Sequence, residues 1–239
     1  MDTILQGLSG ALRLVAAFDP ELVRIISLSL QVSGLALVLA AALGVPVGAL
    51  LALKRFPLRG LTLSLLNTGM GLPPVVVGLF LYLILSRSGP LGFLALLYTP
   101  SAMVIAQTIL AFPIVASLSH AAIVGVDPII RVAARTLGAT PRQEAITMVL
   151  EARYGILAAV IAAFGRVSAE VGAVLMVGGN IANYTRVMTT TIAMETDKGN
   201  FDLGIALGAI LLTLSLLVNF GLRGVQRRGR VKTGVRLWD

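Results

Sequence analysis

The sequence contains no cysteine and only one histidine, His120, among its 239 residues. Without cysteine the chain can form neither a disulfide nor a thiolate metal site, and one imidazole cannot make a histidine cluster. It also lacks the Gly-x-x-x-x-Gly-Lys-[Ser/Thr] segment of a P-loop, which excludes that mode of ATP binding. No catalytic triad and no metal-ligand spacing is visible. We therefore predict a chain with no catalytic residue, no metal site and no cofactor of its own.

Charged residues are scarce as well. They make up 13% of the chain, against about 25% in a typical soluble domain, whereas 57% of the residues are hydrophobic. Long stretches contain no Asp, Glu, Lys or Arg, among them residues 25–53, 61–86 and 203–222. Each is longer than the ~18 apolar residues that suggest a span of the ~30 Å hydrocarbon core. The composition therefore predicts an all-α integral membrane protein.

Five membrane-spanning helices are predicted, at residues 22–53, 61–85, 101–124, 154–177 and 203–222. The first begins at Asp19-Pro20-Glu21, where an acidic cap is followed by a proline in the first turn. The second is expected to kink at Pro73-Pro74, because two adjacent backbone donors are missing there. Residues 1–21 are predicted to form an N-terminal segment at the membrane interface.

The basic residues lie beside the predicted spans, in segments 54–59, 131–153 and 223–236. Because Lys and Arg resist crossing to the outer side, this pattern places the N-terminus outside and the C-terminus inside. Segment 127–153 and the basic tail 223–239 are then cytoplasmic, and loop 178–202 is extracytoplasmic. The net charge of +8 is therefore explained by basic residues that orient the spans in the membrane, and it does not indicate binding to nucleic acid. We predict a single transmembrane domain over residues 1–239.

The inner segment 127–153 carries the signals of two short helices joined by a bend. Gly138 ends the first helix, because glycine adopts the C-terminal cap conformation without steric cost. Thr140 caps the second, with Pro141 in its first turn and Gln143 completing a capping box. Alanines at positions 133, 134 and 139 leave a surface that a partner can approach closely. The segment is either such a docking surface or a solvated connector between spans.

Among the polar residues of the predicted spans, Asn67, Gln107, Arg166 and Glu170 are candidate functional residues. Arg166 lies 13 residues, or about 20 Å of helix, beyond Arg153. A charge at that depth costs roughly 2.5 kcal/mol or more unless it is paired or faces water. Glu170, four residues on, shares its helix face, so the two either line a pore or form an ion pair that fixes helix packing. Asn67 and Gln107 either line the same cavity or bond across helices.

Residues 131–150 resemble the EAA loop of binding-protein-dependent ABC importer permeases. In that motif Glu-Ala-Ala is followed by Gly four residues after the last Ala, and later by a hydrophobic Ile-x-Leu-Pro. Ala133, Ala134, Gly138 and Leu150 match the motif. Val132, Met148 and Glu151 stand where the family has Glu, Ile and Pro. In the family this loop is the coupling helix, seated in a groove of the ATPase subunit. The resemblance implies ATPase coupling for Ala133, Ala134, Gly138, Ala139, Thr140, Pro141 and Glu144.

Further stretches extend the resemblance to essentially the whole chain. Residues 164–172, continuing to 178–180, resemble permeases for molybdate, sulfate and tungstate, and residues 71–78 and 195–203 resemble the tungstate branch. The resemblance implies a type I ABC importer permease, a multi-pass protein of the prokaryotic inner membrane that works as a homodimer by alternating access. ATP and Mg would bind to a partner ATPase, and an extracytoplasmic oxyanion-binding protein would dock outside. The translocation path would include Asn67, Gln107, Arg166, Glu170, Gly178, Gly179 and Asn180.

The predicted function is that of the pore-forming subunit of an ATP-driven importer for a tetrahedral oxyanion, most of all tungstate. Molybdate or sulfate import is the alternative within the same family. A secondary anion transporter working without ATP would need coupling-ion sites, for which Glu170 is the only deep carboxylate. A membrane enzyme acting on lipid would need a constellation of polar groups that His120 alone does not supply.

Overall fold

The structure is a computed structural model that describes residues 19–232, with the side chains of residues 19–221. The predicted interfacial segment 1–21 lies outside the described residues except for its last three, and so do residues 233–239 of the predicted tail. The described chain forms α-helices and a 3₁₀ turn (Gly92–Leu94), with no strand. The helices are α1 (Pro20–Leu53), α2 (Arg59–Met70), α3 (Pro74–Leu85), α4 (Pro100–Val124), α5 (Pro128–Thr136), α6 (Pro141–Glu151), α7 (Arg153–Ser168), α8 (Gly172–Gly178), α9 (Met188–Asp197) and α10 (Phe201–Lys232).

Three of these helices, α1, α4 and the Phe201–Gly221 part of α10, are each long and apolar enough to cross a membrane. Two bent pairs, α2 with α3 and α6 with α7, qualify when each pair is taken as one span, which gives up to five spans in the described residues. The predicted all-α architecture is thereby confirmed. The start of α1 is also as predicted, since Asp19 Oδ1 accepts hydrogen bonds from the backbone N–H groups of Glu21 (2.8 Å) and Leu22 (3.2 Å).

Two of the predicted spans are interrupted. The first break separates α2 from α3 at the Pro73-Pro74 pair, where a kink is predicted. The second break is a difference from the prediction: α7 ends at Ser168 and α8 begins at Gly172, in place of one continuous fourth helix. The physical reason lies in Glu170, whose Oε1 accepts a hydrogen bond from the N–H of Ala173 (3.1 Å). This bond satisfies a donor in the first turn of α8, as a helix cap does.

Contacts divide the chain into two compact units, and α1, α4, α7 and α10 contribute residues to both. The first unit comprises the chain up to Leu39 together with Leu72–Ala111 and Phe164–Leu216. Its main core is built from α3, α4 and α8 around buried apolar side chains. This core includes Val77, Leu81, Met103, Ala106, Ala173, Val174 and Val177.

The predicted outer loop 178–202 belongs to the first unit and contains a helix of its own, α9. Met188, the first residue of α9, packs against Leu22 of α1 and Leu207 of α10. Its backbone N–H donates to the hydroxyl of Ser29 on α1 (2.8 Å). This segment is therefore a packed part of the unit rather than an open polar loop.

The second unit comprises Ala40–Gly71, Phe112–Ala163 and the chain from Leu217. Here α1 and α4 approach closely at Gly48. His120 of α4 is also engaged, because its Nε2 lies 3.3 Å from Nη2 of Arg59, whose Nε donates to the backbone O of Leu51 (2.6 Å). Since a guanidinium can only donate, the His120 nitrogen is the acceptor. His120 is thus a packed structural side chain.

Replacing Gly48 with alanine is expected to destabilise the protein by about 1–3 kcal/mol, the usual cost of overpacking. The reason is that a Cβ at this position would come 2.5 Å from the backbone O of Ala116. Gly34 in the same helix is the control, because a Cβ there meets nothing outside its own helix within 4 Å. Gly34→Ala should keep or raise stability, since alanine favours helix over glycine. Thermal unfolding in one detergent measures both, and equal melting temperatures would contradict the close packing at Gly48.

Candidate functional site

The inner segment 127–153 forms the helix–glycine–helix hairpin that the sequence predicts. At the start of α5, Asp127 Oδ1 accepts a hydrogen bond from the N–H of Ile129 (2.9 Å). Gly138, just beyond α5, has φ +81°, in the left-handed region that favours glycine. At the start of α6, the Gln143 N–H donates to Thr140 Oγ1 (3.4 Å), and the Thr140 N–H donates to Gln143 Oε1 (2.8 Å). The predicted capping box is confirmed.

Glu144 ties the two helices of this hairpin together. Its carboxylate accepts two hydrogen bonds from Arg135, at 2.7 and 3.1 Å, and its Oε1 lies 3.1 Å from Nε of Arg131. Both arginines are on α5, and Glu144 is on α6. Bidentate arginine–carboxylate pairs are strong and directional, so they set the position of one helix on the other. Glu144 is half-buried and holds the two helices together, and its predicted part in coupling stays a prediction.

Large apolar side chains are exposed on α5 and at its end. The exposed fractions are 66% for Ile129, 60% for Val132 and 88% for Leu137. Ala133 is exposed beside them. We call Ile129, Val132, Ala133 and Leu137 the inner apolar surface. Because apolar area is costly to leave in water, a patch of this kind on a segment that is predicted to be cytoplasmic is typical of a site for a partner.

The predicted coupling residues surround the inner apolar surface. Gly138, Thr140 and Pro141 are exposed at the bend, and Ala134 and Ala139 are half-buried. The sequence prediction named the small residues and missed the large apolar ones. The available signal is the spacing of Ile129, Val132, Ala133 and Leu137 at positions i, i+3, i+4 and i+8, which is typical of one face of an amphipathic helix. The role of all these residues in coupling stays a prediction.

Arg166 and Glu170 form an ion pair across the break between α7 and α8. The distance from Arg166 Nη1 to Glu170 Oε2 is 2.8 Å. Glu170 is 3% exposed, and its second carboxylate oxygen accepts from Ala173, while its backbone O accepts from the hydroxyl of Thr189 (2.8 Å). The Arg166 side chain is 34% exposed. Both predicted alternatives, a pore residue and a packing pair, stay open for Arg166, whereas Glu170 is fully engaged in bonds.

Gln107 of α4 contacts the same break. Its Nε2 donates to the backbone O of Val167 (3.2 Å), a carbonyl group at the end of α7 that also accepts from the N–H of Glu170 (3.2 Å). Its Oε1 is buried and has no hydrogen-bond partner among the described residues. Beside it lies a cavity of about 20 Å³, lined in part by Ser33, Ser168 and Thr189, which is room for about one water molecule. Gln107 therefore bonds across helices and also lines a small cavity.

Asn67, in the second unit, accepts a hydrogen bond from the hydroxyl of Ser117 on α4. Gly178, Gly179 and Asn180 form a tight turn after α8. Gly179 has φ +71°, and a Cβ there would come 2.7 Å from the ring of Tyr98, so glycine is required for two reasons. The predicted path residues thus lie in well-ordered contacts, and their part in translocation stays a prediction.

The cations at the predicted outer end of the first unit differ in their partners. Arg186 is paired with Glu21 (3.2 Å), and Lys198 is paired with Glu195 (2.9 Å). Hydrogen bonds from Lys198 and then Asn200 hold the pKa of the Glu195 carboxyl below its usual range. Arg24 instead donates to the amide oxygen of Asn183 (3.1 Å).

Comparison with known proteins identifies relatives over nearly the whole chain. Residues 44–231 match the family described as binding-protein-dependent transport system inner membrane component. A probable anion ABC transporter permease of Haloferax volcanii is 50% identical over 203 residues, which are 83% of this chain and 88% of the relative. The tungstate uptake system permease TupB of Peptoclostridium acidaminophilum is 40% identical over 226 residues, 95% of this chain and 99% of the relative.

Among solved structures, an inward-facing form of the MetNI methionine ABC transporter matches with a TM-score of 0.73. The match covers 89% of this chain and 97% of that chain at 19% identity, and it supports the fold alone. The predicted importer permease architecture and inner-membrane location are confirmed by these comparisons. A permease of this kind works with an ATPase subunit and a substrate-binding protein. The chain therefore belongs to the family of binding-protein-dependent transport system inner membrane components, as a non-enzymatic ABC importer permease whose ATPase activity resides in a separate subunit.

Proposed function

We propose that this chain is the permease of an ATP-driven tungstate importer and that it works as a homodimer. The observation that carries the proposal is the 40% identity to a tungstate uptake permease over 95% of this chain and 99% of the relative. The 50% identity to a probable anion permease agrees with an anionic substrate. Molybdate and sulfate share the charge and tetrahedral shape of tungstate and remain the alternatives within the family.

The inner apolar surface supports coupling to an ATPase. Its exposed side chains would pack into a partner that binds ATP and Mg, and closure of two such partners would move α5. The Glu144 ion pairs would transmit this movement to α6, and α7 begins two residues after α6 ends. The hairpin and α7 together would carry the movement to the break at Glu170. If the angle between α7 and α8 changes at this break during the cycle, the path would open alternately to the two sides of the membrane, which is alternating access.

The exposure of Arg166 supports a homodimer. A guanidinium on a membrane-spanning helix is costly in lipid and has to face water or another protein chain. In the single chain, 34% of the Arg166 side chain is exposed. A second copy of the chain, placed with its own Arg166 facing the first, would enclose a polar path between the two copies. A secondary transporter is less well supported, because Glu170, the deep carboxylate available for proton coupling, is already bonded to Arg166 and Ala173.

Uptake of labelled tungstate by cells with and without this gene tests the proposal. We expect uptake to be lost with the gene, to return when the gene is restored, and to persist in excess molybdate or sulfate. Unchanged tungstate uptake together with reduced sulfate or molybdate uptake would contradict the tungstate assignment and support one of the alternatives. Uptake that persists when cellular ATP is depleted but the membrane potential is kept would contradict ATP-driven import.

A further inference from the structure

An open groove of about 730 Å³ lies at the predicted outer end of the first unit, and none of its residues is among the predicted path residues. Its polar lining comes from Arg24, Ser27 and Gln31 of α1 and from Asn183 and Tyr184 of the segment before α9, and Pro20, Val23 and Leu28 supply its apolar lining. The three polar α1 residues are spaced by three and four positions, so they share one helix face. All five polar side chains are exposed.

Arg24 carries a positive charge that no carboxylate balances. Among the described residues no Asp or Glu oxygen lies within 4 Å of it, whereas Arg186 and Lys198 in the same unit each have an acidic partner. Its Nη1 donates to Asn183 Oδ1 at 3.1 Å, so a neutral group holds the side chain in place. A guanidinium has five N–H donors, and one bond to an amide leaves most of them and the whole charge available.

The other polar groups of the groove are also suited to donate. Ser27 Oγ accepts from Gln31 Nε2 (3.1 Å), which leaves the Ser27 hydroxyl hydrogen to donate. Asn183 uses its oxygen for Arg24, which leaves its amide nitrogen, and Tyr184 contributes a phenol hydroxyl. The lining contains no Asp or Glu. One unbalanced cation among several donors is the chemistry that recognises an oxyanion, whose oxygens accept charge-assisted hydrogen bonds.

The position of the groove fits an anion on its way into the membrane. Arg24 and Gln31, seven positions apart, are separated by about 10 Å along α1, which begins on the predicted outer side. A polar helix face at this depth is costly against lipid and is expected to border water. We propose that this groove is an outer oxyanion-binding site, in which Arg24 holds the tungstate delivered by the binding protein before it passes inward. The identity of its ligand, tungstate, rests on the proposed function.

The test uses the complete importer in liposomes, with binding protein and ATPase, and compares Arg24→Ala, Arg24→Lys and Arg87→Ala. Arg87 is the matched control, since it is exposed, has no carboxylate within 4 Å among the described residues and does not line the groove. We expect Arg24→Ala to reduce tungstate uptake per ATP hydrolysed about tenfold, in line with the loss of hydrogen bonds to a charged group. Arg24→Lys should retain part of the uptake, and Arg87→Ala all of it.

Each other result has a definite meaning. Equal uptake by Arg24→Ala and Arg87→Ala would overturn the site while leaving the proposed function intact. The binding protein is also titrated, and the concentration that gives half of its maximal stimulation of ATP hydrolysis is measured. If Arg24→Ala raises this concentration, the groove receives an acidic side chain of the binding protein, and the oxyanion site is wrong. A wild-type complex that imports no oxyanion would contradict the proposed function itself, and the site with it.

Discussion

Replacing Leu137 with aspartate is expected to abolish tungstate uptake while leaving the permease folded in the membrane. Leu137 is 88% exposed at the end of α5, so the substitution removes no packing within the chain. At a protein interface, loss of a central apolar anchor costs about 2 kcal/mol or more, which weakens ATPase docking at least ~30-fold. A buried, unpaired carboxylate would add to that cost. Uptake and the amount of ATPase that copurifies with the permease are the measurements.

Phe93→Asp is the control for this prediction. Phe93 is 79% exposed in the 3₁₀ turn on the predicted outer side, so it presents a similarly large apolar group away from the ATPase. The Phe93→Asp permease should copurify with as much ATPase as the wild-type permease does. If Leu137→Asp also keeps its ATPase and its uptake, the inner apolar surface is a solvated connector, which was the alternative that the sequence left open.

Replacing Glu170 with alanine is expected to destabilise the permease by about 3–5 kcal/mol, the usual effect of breaking a buried ion pair. The loss would leave Arg166 without its partner at 2.8 Å and would also remove the acceptor for the Ala173 N–H. Glu170→Gln should lose less, since its amide oxygen can still accept from Ala173. Thermal unfolding in detergent measures both. Wild-type stability of Glu170→Ala would show that the break does not depend on this residue.

The double variant Arg166→Met with Glu170→Gln separates the two roles of the pair. Removing both charges should recover most of the stability lost in Glu170→Ala, because no unpaired charge remains in the span. Recovery of tungstate uptake along with stability would assign the pair to helix packing. A stable double variant without uptake would assign Arg166 to the translocation path. The comparison therefore decides between the two alternatives that geometry leaves open.

The sequence predicted those features that depend on local chemistry. The caps at Asp19 and Thr140 follow from which side chain precedes which backbone N–H, and both are present. The spans follow from long apolar runs. The break after Ser168 could not be predicted in this way, because apolar stretches flank it on both sides and no proline marks it. It depends on a bond from the Glu170 side chain to Ala173 that becomes visible only in three dimensions.

Helix α9 was missed for a related reason. Its threonines and acidic residues are typical of a polar outer loop, yet Thr190 and Thr191 are almost completely buried. Thr191 donates its hydroxyl hydrogen to the backbone O of Val187 one turn earlier (2.7 Å). Threonine bonded in this way presents mainly its methyl group to its neighbours, so it can be packed like an apolar residue. Composition alone cannot distinguish this arrangement from an exposed loop.

The break between α7 and α8 also bears on how fast a transport cycle can proceed. Around it, backbone groups are bonded to the side chains of Gln107, Glu170 and Thr189 instead of to a continuing helix. Bending an intact helix in a bilayer would rupture backbone hydrogen bonds where no water can replace them, which raises the activation barrier. At this joint, bending would instead require these side chains to change rotamer, and rotamers interconvert rapidly compared with helix rearrangements. If the transport cycle bends the chain at this joint, we expect ATP binding and hydrolysis, rather than the bending, to set the turnover rate.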